Sequence, residues 1–136
     1  VTNLLNEKKY KLELPVFYDV EDEHDSVVGN ISSLDRQLLT DIIKTFCETM
    51  KENGYYAGYY STVSFAEKEF FAEQLQQYPF RVARWNESVS PPVPHYLWQY
   101  SAKGSVPGVN GDCDINLCFA DFYSYIKEHS YNNLNK

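Results

Sequence analysis

The chain has 136 residues, which favours a single domain, and 43% of them are hydrophobic, enough to build a core. Its net charge of −7 argues against a nucleic-acid partner, because affinity for nucleic acid depends on Lys and Arg neutralising phosphates. The sequence has no run of 18 apolar residues, so we expect no membrane span. Aromatic residues make up 16% of the chain, which suits both core packing and the stacking of rings on sugars.

The first half of the chain carries one strand signal and one helix signal. Leu14–Asp19 is a short apolar run, typical of a buried strand. Ser32 and Asp35 resemble a capping box, and the helix predicted after them ends at Gly54. Its apolar stripe recurs at three-to-four spacing and consists of Leu38, Leu39, Ile42, Ile43, Phe46, Cys47 and Met50.

The second half begins with an aromatic strand, Tyr55–Ser61, followed by a second capping box at Ser64 and Glu67. That box predicts a helix to about Gln77. Alternating strands and helices predict a parallel α/β sheet, and the missing helices between the late strands indicate an irregular barrel. The remaining predicted elements are strands at Phe80–Trp85, Tyr96–Tyr100 and Cys113–Leu117 and a helix at about Ala120–His129.

Two acids stand at the end of the first predicted strand. Strand side chains alternate, so Asp19 and Glu21 face the same way, with Cα atoms ~6.6 Å apart from the strand rise. Such a pair suits glycoside hydrolysis, in which one carboxyl donates a proton while another stays ionised. The alternative reading is a solvated acidic strand end that runs on into Asp22-Glu23-His24-Asp25.

The cysteines and histidines do not predict a metal site. Cys47 is interpreted as a small apolar helix residue, and Cys113 and Cys118 are expected to point to opposite faces of one strand, which disfavours a disulfide. The three His are scattered singly, and no spacing fits a metal ion. We therefore predict neither a metal nor a cofactor.

Five short motifs in order and in register resemble the family 25 glycoside hydrolases, the Chalaropsis-type muramidases. The resemblance covers about residues 12–122, nearly all of the chain. The motifs are P-V-x-x-D-x-E, N-G-Y-x-x-G-x-Y-S, V-A-x-W, L-W-Q-Y and G-x-x-D-x-N, read here at Pro15–Glu21, Asn53–Ser61, Val82–Trp85, Leu97–Tyr100 and Gly111–Asn116.

The resemblance implies an irregular, flattened β/α barrel of the TIM type, with chemistry at the carboxyl ends of its strands. It implies cleavage of the β-1,4 bond between N-acetylmuramic acid and N-acetylglucosamine in peptidoglycan glycan strands. Glu21 matches the general acid, Asp19 the assisting carboxylate and Asp114 the acidic residue on the last strand. The positions that match the aromatic wall around the sugar are Tyr60, Trp85, Trp98 and Tyr100.

Two further residues of these motifs are interpreted from strand alternation. Asp114 and Asn116 share one face of their strand. Gln99 is expected to face away from Trp98 and Tyr100 and is interpreted as structural. The mechanism stays open between inversion and a route in which the substrate's own N-acetyl group attacks, and the second is favoured.

The chain departs from the family at its beginning. Family members start with a strand that carries another essential Asp and then add about two strand–helix units, whereas Val1–Lys11 resembles the end of a helix before the fourth strand. We therefore expect residues 1–136 to supply about the last five of eight barrel strands. Either another segment or chain supplies the remaining strands, or the fragment is incomplete and inactive by itself. The resemblance implies a secreted or phage-released protein that acts at the bacterial cell wall.

Two alternatives to a muramidase remain. The chain could bind cell-wall sugars without cleaving them, because an essential Asp is missing. It could also be part of an unrelated α/β enzyme in which the Asp-x-Glu pair is a coincidence.

Overall fold

The computed structural model describes residues 1–22 and 31–135, so most of the predicted acidic segment, Glu23 to Asp25, lies outside the described residues. The helices are α1 (Thr2–Lys8), α2 (Arg36–Glu52), α3 (Val63–Lys68) and α4 (Phe122–Glu128). The strands are β1 (Val16–Asp19), β2 (Ala57–Thr62), β3 (Phe80–Ala83), β4 (Leu97–Gly104) and β5 (Cys113–Cys118). Short 3₁₀ turns lie at Ile31–Ser33 and Ala72–Leu75.

Helix α2 confirms the predicted apolar stripe except at its first residue, Leu38, which is 49% exposed. Its N-cap is Asp35, whose carboxylate accepts from the backbone N–H groups of Gln37 and Leu38, while Ser32 lies in the preceding 3₁₀ turn. Ile43 in the middle of the stripe is fully buried. Gly54 follows the helix with φ +83°, a conformation that favours glycine and ends the helix as predicted.

The five strands form one curled sheet in the order β1-β2-β3-β4-β5, half of a barrel. This confirms the α/β, TIM-like half-barrel with five strands. Strands β1 to β4 run parallel, but β4 and β5 pair antiparallel, so the expectation of an all-parallel sheet was wrong there. The physical reason is the short connection from Gly104 to Cys113, which makes a hairpin, because a parallel crossover needs a dozen or more residues.

The prediction of a capping box at Ser64 and Glu67 was also wrong. Helix α3 begins after Thr62, whose hydroxyl accepts from the N–H of Phe65, so Ser64 is not the N-cap. The helix ends at Lys68, and a separate 3₁₀ turn replaces the remainder of the single helix that was predicted to reach Gln77.

The sheet is covered differently on its two faces. The larger apolar cluster fills the space between the sheet and α2, with Ile43, Tyr59, Phe80 and Val82 among its fully buried members. A smaller cluster forms where Leu97 meets Phe122 and Ile126, two residues of α4. Within the described residues, the structure has no helix of the length and hydropathy needed to cross a bilayer.

Candidate active site

The face of the sheet turned away from α2 carries a row of polar residues. Paired residues of neighbouring strands point to the same side of a sheet, and the registers pair Asp19 with Tyr60 and Tyr60 with Arg81. Across the remaining strands, the registers pair Ala83 of β3 with Gln99 of β4, and Gln99 with Asn116 of β5. We call this surface the open face, and its polar row consists of Asp19, Tyr60, Arg81, Gln99 and Asn116.

Arg81 of β3 joins the last two strands of the open face. Its Nε donates to Oδ1 of Asn116 at 2.9 Å, and its Nη2 donates to Oε1 of Gln99 at 3.4 Å. Its Nη2 also lies 3.9 Å from Oδ2 of Asp114. These contacts confirm that Asp114 and Asn116 share a side of β5, and that Gln99 faces away from Trp98.

Tyr60 lies at the centre of the charged groups. The Arg81 guanidinium sits over its ring, 5.0 Å from the centroid. The pKa of the Tyr60 phenol is raised to about 12, mainly by burial and then by the negative charges of Glu21 and Asp19; Arg81 opposes this, and Asp114 adds to it. Asp19 of β1, Glu21 just beyond that strand and Asp114 of β5 therefore all raise the pKa of this phenol. The phenol stays protonated at neutral pH.

The end of β1 is held by the neighbouring strand. The N–H of Val20 donates to the carbonyl of Tyr60 at 2.9 Å, and the buried Ser61 hydroxyl donates to the carbonyl of Val20 at 2.8 Å. Val20 itself is fully buried, whereas Asp19 and Glu21 on either side of it are exposed. This alternation turns both acids away from the core, as the sequence predicts.

The predicted aromatic residues divide between two locations. Trp98 pairs with the core residue Val82, packs against the larger apolar cluster, and donates from Nε1 to the carbonyl of Arg84 at 2.9 Å. The Tyr100 ring lies 6.0 Å from the Trp98 ring. The register therefore does not bring Trp98 to the open face with Tyr60, and its role in binding substrate stays a prediction, as does that of Tyr100.

Trp85 lies beyond the carboxyl end of β3 and is 59% exposed. It borders a cavity of about 300 Å³ between the ends of β2 and β3, at the lower limit of volumes that hold small ligands. The residues lining this cavity are Thr62, Val63, Ser64, Ala83, Arg84 and Trp85.

Acids, a guanidinium and a protonated phenol on one face can transfer protons and stabilise charge, which acid–base hydrolysis requires. Among the residues the structure describes, no group of three or more His, Cys, Asp and Glu could hold a metal ion. Arg81 was not among the predicted site residues. Its position between Phe80 and Val82 in a buried strand was a signal, because a charged residue is rarely buried without a partner.

Both the sequence and the fold of the chain are similar to those of known proteins. The sequence model of "Glycosyl hydrolases family 25" matches residues 1–109. The bacterial lysozyme from Streptomyces coelicolor is 27% identical with a TM-score of 0.62, and the match covers 89% of this chain and 57% of that one. The modular autolysin LytC from Streptococcus pneumoniae is 25% identical with a TM-score of 0.70, covering 84% of this chain and 28% of that one.

A third solved structure, LytC in complex with a synthetic peptidoglycan ligand, has a TM-score of 0.73 at 24% identity, covering 84% of this chain and 28% of that one. At that identity the likeness shows the fold alone. The chain spans from 28% to 57% of the length of these three structures. No curated protein sequence matches it significantly.

Proposed function

The chain belongs to family 25 of the glycosyl hydrolases, and we propose that it hydrolyses peptidoglycan at the β-1,4 bond between N-acetylmuramic acid and N-acetylglucosamine. The observation that carries this proposal is the row formed by Asp19, Tyr60 and Arg81 on neighbouring strands, with Glu21 two residues after Asp19 and Asp114 3.9 Å from the Arg81 guanidinium. The partner is the glycan strand of the bacterial cell wall, where the protein acts after secretion or release by a phage.

In the proposed reaction, Glu21 is the general acid and protonates the leaving glycosidic oxygen. The acetamide oxygen of N-acetylmuramic acid attacks C1 as the glycosidic bond breaks, which gives an oxazolinium ion. Asp19 stabilises the positive charge of that ion. Water then attacks C1 and gives a proton to the Glu21 carboxylate, which restores the acid and leaves the product with retained configuration.

The other groups of the open face have supporting roles. Asp114, paired with Arg81, adds negative charge across the open face from Asp19. Tyr60 keeps its proton and can donate a hydrogen bond to the sugar or its acetamide group. Trp85, and also Trp98 and Tyr100, are proposed as aromatic contacts of the glycan. The remaining barrel strands are proposed to come from another segment or chain.

The test measures release of reducing sugar ends and of soluble muropeptides from purified peptidoglycan. The parent chain should release both, and Glu21→Gln should lower the rate by at least about a hundredfold while keeping the melting temperature, because an exposed carboxyl is not core. Glu73→Gln, a change of an exposed acid in the 3₁₀ turn before β3, is the matched control.

A Glu21→Gln variant as active as the parent would remove Glu21 from the mechanism. Binding of peptidoglycan by both proteins without cleavage by either would favour the alternative, a cell-wall sugar-binding fragment.

A further inference from the structure

Glu21 lies just beyond the end of its strand. Strand β1 ends at Asp19, and the chain bends at Glu21, two residues further on. A segment beyond the end of a strand has low local stability unless specific contacts hold it. The position of the Glu21 backbone therefore depends on the bonds made by the residues on either side of it.

Before the bend, the holding bonds come from β2. The N–H of Val20 donates to the carbonyl of Tyr60 at 2.9 Å, and the carbonyl of Val20 accepts from the Ser61 hydroxyl at 2.8 Å. Val20 is also fully buried. The backbone that enters Glu21 is therefore fixed to the sheet.

After the bend, the carboxylate of Asp22 holds the chain. Its Oδ1 accepts from the N–H of Ser32 at 2.9 Å, and its Oδ2 accepts from the hydroxyl of the same serine, ten positions away in the sequence. Hydrogen bonds to a carboxylate are stronger than those between neutral groups, and two of them fix its orientation as well as its position. We call this pair of bonds the Asp22–Ser32 clasp.

The residue on the other side of the clasp is anchored in turn. Ser32 lies in the 3₁₀ turn Ile31–Ser33, immediately before α2. The N–H of Leu34 donates to the carbonyl of Ile31 at 3.0 Å, and both of these side chains pack against the larger apolar cluster. The clasp therefore connects the residue after Glu21 to a part of the chain that is packed on the core.

Resting on the function proposed above, we propose that Asp22 is a positioning residue for the general acid. The Asp22–Ser32 clasp and the Ser61 bond hold the backbone on both sides of Glu21. The acid must lie within hydrogen-bond reach of the glycosidic oxygen that it protonates. A misplacement of about 1 Å at such a group costs on the order of a hundredfold in rate. Asp22 does not touch the sugar and acts through Glu21.

The first measurement is of kcat and KM on soluble, uncross-linked peptidoglycan strands. Asp22→Ala should lower kcat by at least about tenfold and change KM by less than about twofold, because a misplaced acid slows proton transfer without removing a contact of the sugar. Ser32→Ala should lower kcat by a smaller factor, because the N–H of residue 32 still donates to Asp22. This variant alters no charge, so a changed electric field at Glu21 does not explain its loss.

Two further variants test whether Asp22 and Ser32 act as one unit. Asp22→Asn keeps an oxygen that can accept from the N–H of Ser32, so its kcat should lie between those of the parent and Asp22→Ala. The double variant Asp22→Ala/Ser32→Ala should be no slower than Asp22→Ala alone, since both changes break the same clasp. Additive losses would contradict the clasp.

Asp35 provides the matched control. Its carboxylate also accepts two hydrogen bonds, from the N–H groups of Gln37 and Leu38, but it does so as the N-cap of α2. Asp35→Ala should lower the melting temperature, because the helix loses its cap, and keep kcat within about twofold of the parent well below that temperature. An equal loss of kcat in Asp35→Ala and Asp22→Ala would show that Asp22 acts only through stability.

A second measurement does not depend on hydrolysis. The NMR order parameter of the Glu21 backbone amide should be about 0.85 in the parent and fall toward about 0.6 in Asp22→Ala, while Asp35→Ala keeps the parent value. The same value in the parent and Asp22→Ala would overturn the inference, whatever the activity. Loss of order in Asp22→Ala with no hydrolysis by the parent would contradict only the proposed function. Hydrolysis with an unchanged kcat in Asp22→Ala would contradict only the positioning role.

Discussion

The hydroxyl of Ser61 donates a buried hydrogen bond of 2.8 Å to the carbonyl of Val20, the residue between the two acids at the end of β1. Ser61 and Val20 are both fully buried, so this bond is shielded from water. It fixes the backbone from which Asp19 and Glu21 project in opposition to Val20. The direction of the acids on the open face therefore depends on a serine of the neighbouring strand.

Replacing this serine tests that dependence. Ser61→Ala should lower the free energy of unfolding by about 1–3 kcal/mol, because the buried carbonyl of Val20 loses a partner. It should also lower the rate of peptidoglycan hydrolysis by more than the lost stability explains, since Glu21 is no longer held. Urea unfolding and assays well below the melting temperature separate the two effects. Ser124→Ala, a change of an exposed hydroxyl on α4, is the control, and equal behaviour of the two variants would contradict the prediction.

Arg81 should contribute more to stability than its ion pair alone. Arg81→Met leaves the buried Gln99 and the half-buried Asn116 without their donor, so we expect a loss of about 1–3 kcal/mol in the free energy of unfolding. Asp114→Asn should cost less than about 1 kcal/mol, because that side chain is 54% exposed and lies 3.9 Å from the guanidinium. Urea unfolding of both variants makes the comparison, and a larger loss in Asp114→Asn would contradict it.

The sequence predicted most of the framework because its signals were local. The stripe through Leu39 and Ile43 follows the helical period, and Gly54 supplies the positive φ that ends α2. The Asp-x-Glu pair lies on one side of its strand for the same kind of reason. Alternation along a strand is a property of the backbone and requires no knowledge of the neighbouring elements.

The misses arose where a local signal competed with a tertiary contact. Ser64 and Glu67 form a good capping pattern, but β2 continues one residue further and places the Thr62 hydroxyl at the start of α3. The location of Trp98 was not predictable either, because the register of β4 packs its ring against the larger apolar cluster, while its role in binding substrate stays a prediction. Which side of a strand faces the core is decided by its neighbours, and a single motif does not contain that information.

The ionisation of Tyr60 should be visible in the pH dependence of stability. Its pKa is raised from the ordinary value of 10.0 to about 12, so the folded chain holds the phenol proton more tightly than the unfolded chain does. That contribution to stability is present in full below about pH 10 and is lost as the pH rises toward 12. The free energy of unfolding should therefore fall less steeply above about pH 9 in Tyr60→Phe than in the parent.

Urea unfolding at intervals from neutral pH to about pH 11 measures this difference. Other tyrosines with raised pKa values, such as the half-buried Tyr56 and the buried Tyr78, are present in both proteins and cancel in the comparison. Parallel curves for the parent and Tyr60→Phe would show that the carboxylates and the surrounding burial do not act on this phenol.

The two tryptophans should respond to truncation in different ways, because they lie on different parts of the molecule. Trp98→Ala removes a ring that packs against the core and donates a hydrogen bond to Arg84, so it should lower the free energy of unfolding by about 3 kcal/mol or more. Trp85→Ala removes a ring that is 59% exposed and should leave stability within about 0.5 kcal/mol of the parent. It should instead weaken binding of soluble muropeptides several-fold, since stacking of the sugar on the indole is lost. Thermal unfolding and calorimetric titration of both variants provide the measurements. A stable Trp98→Ala that loses sugar affinity would move Trp98 to the substrate wall, and a Trp85→Ala with unchanged affinity would remove Trp85 from it.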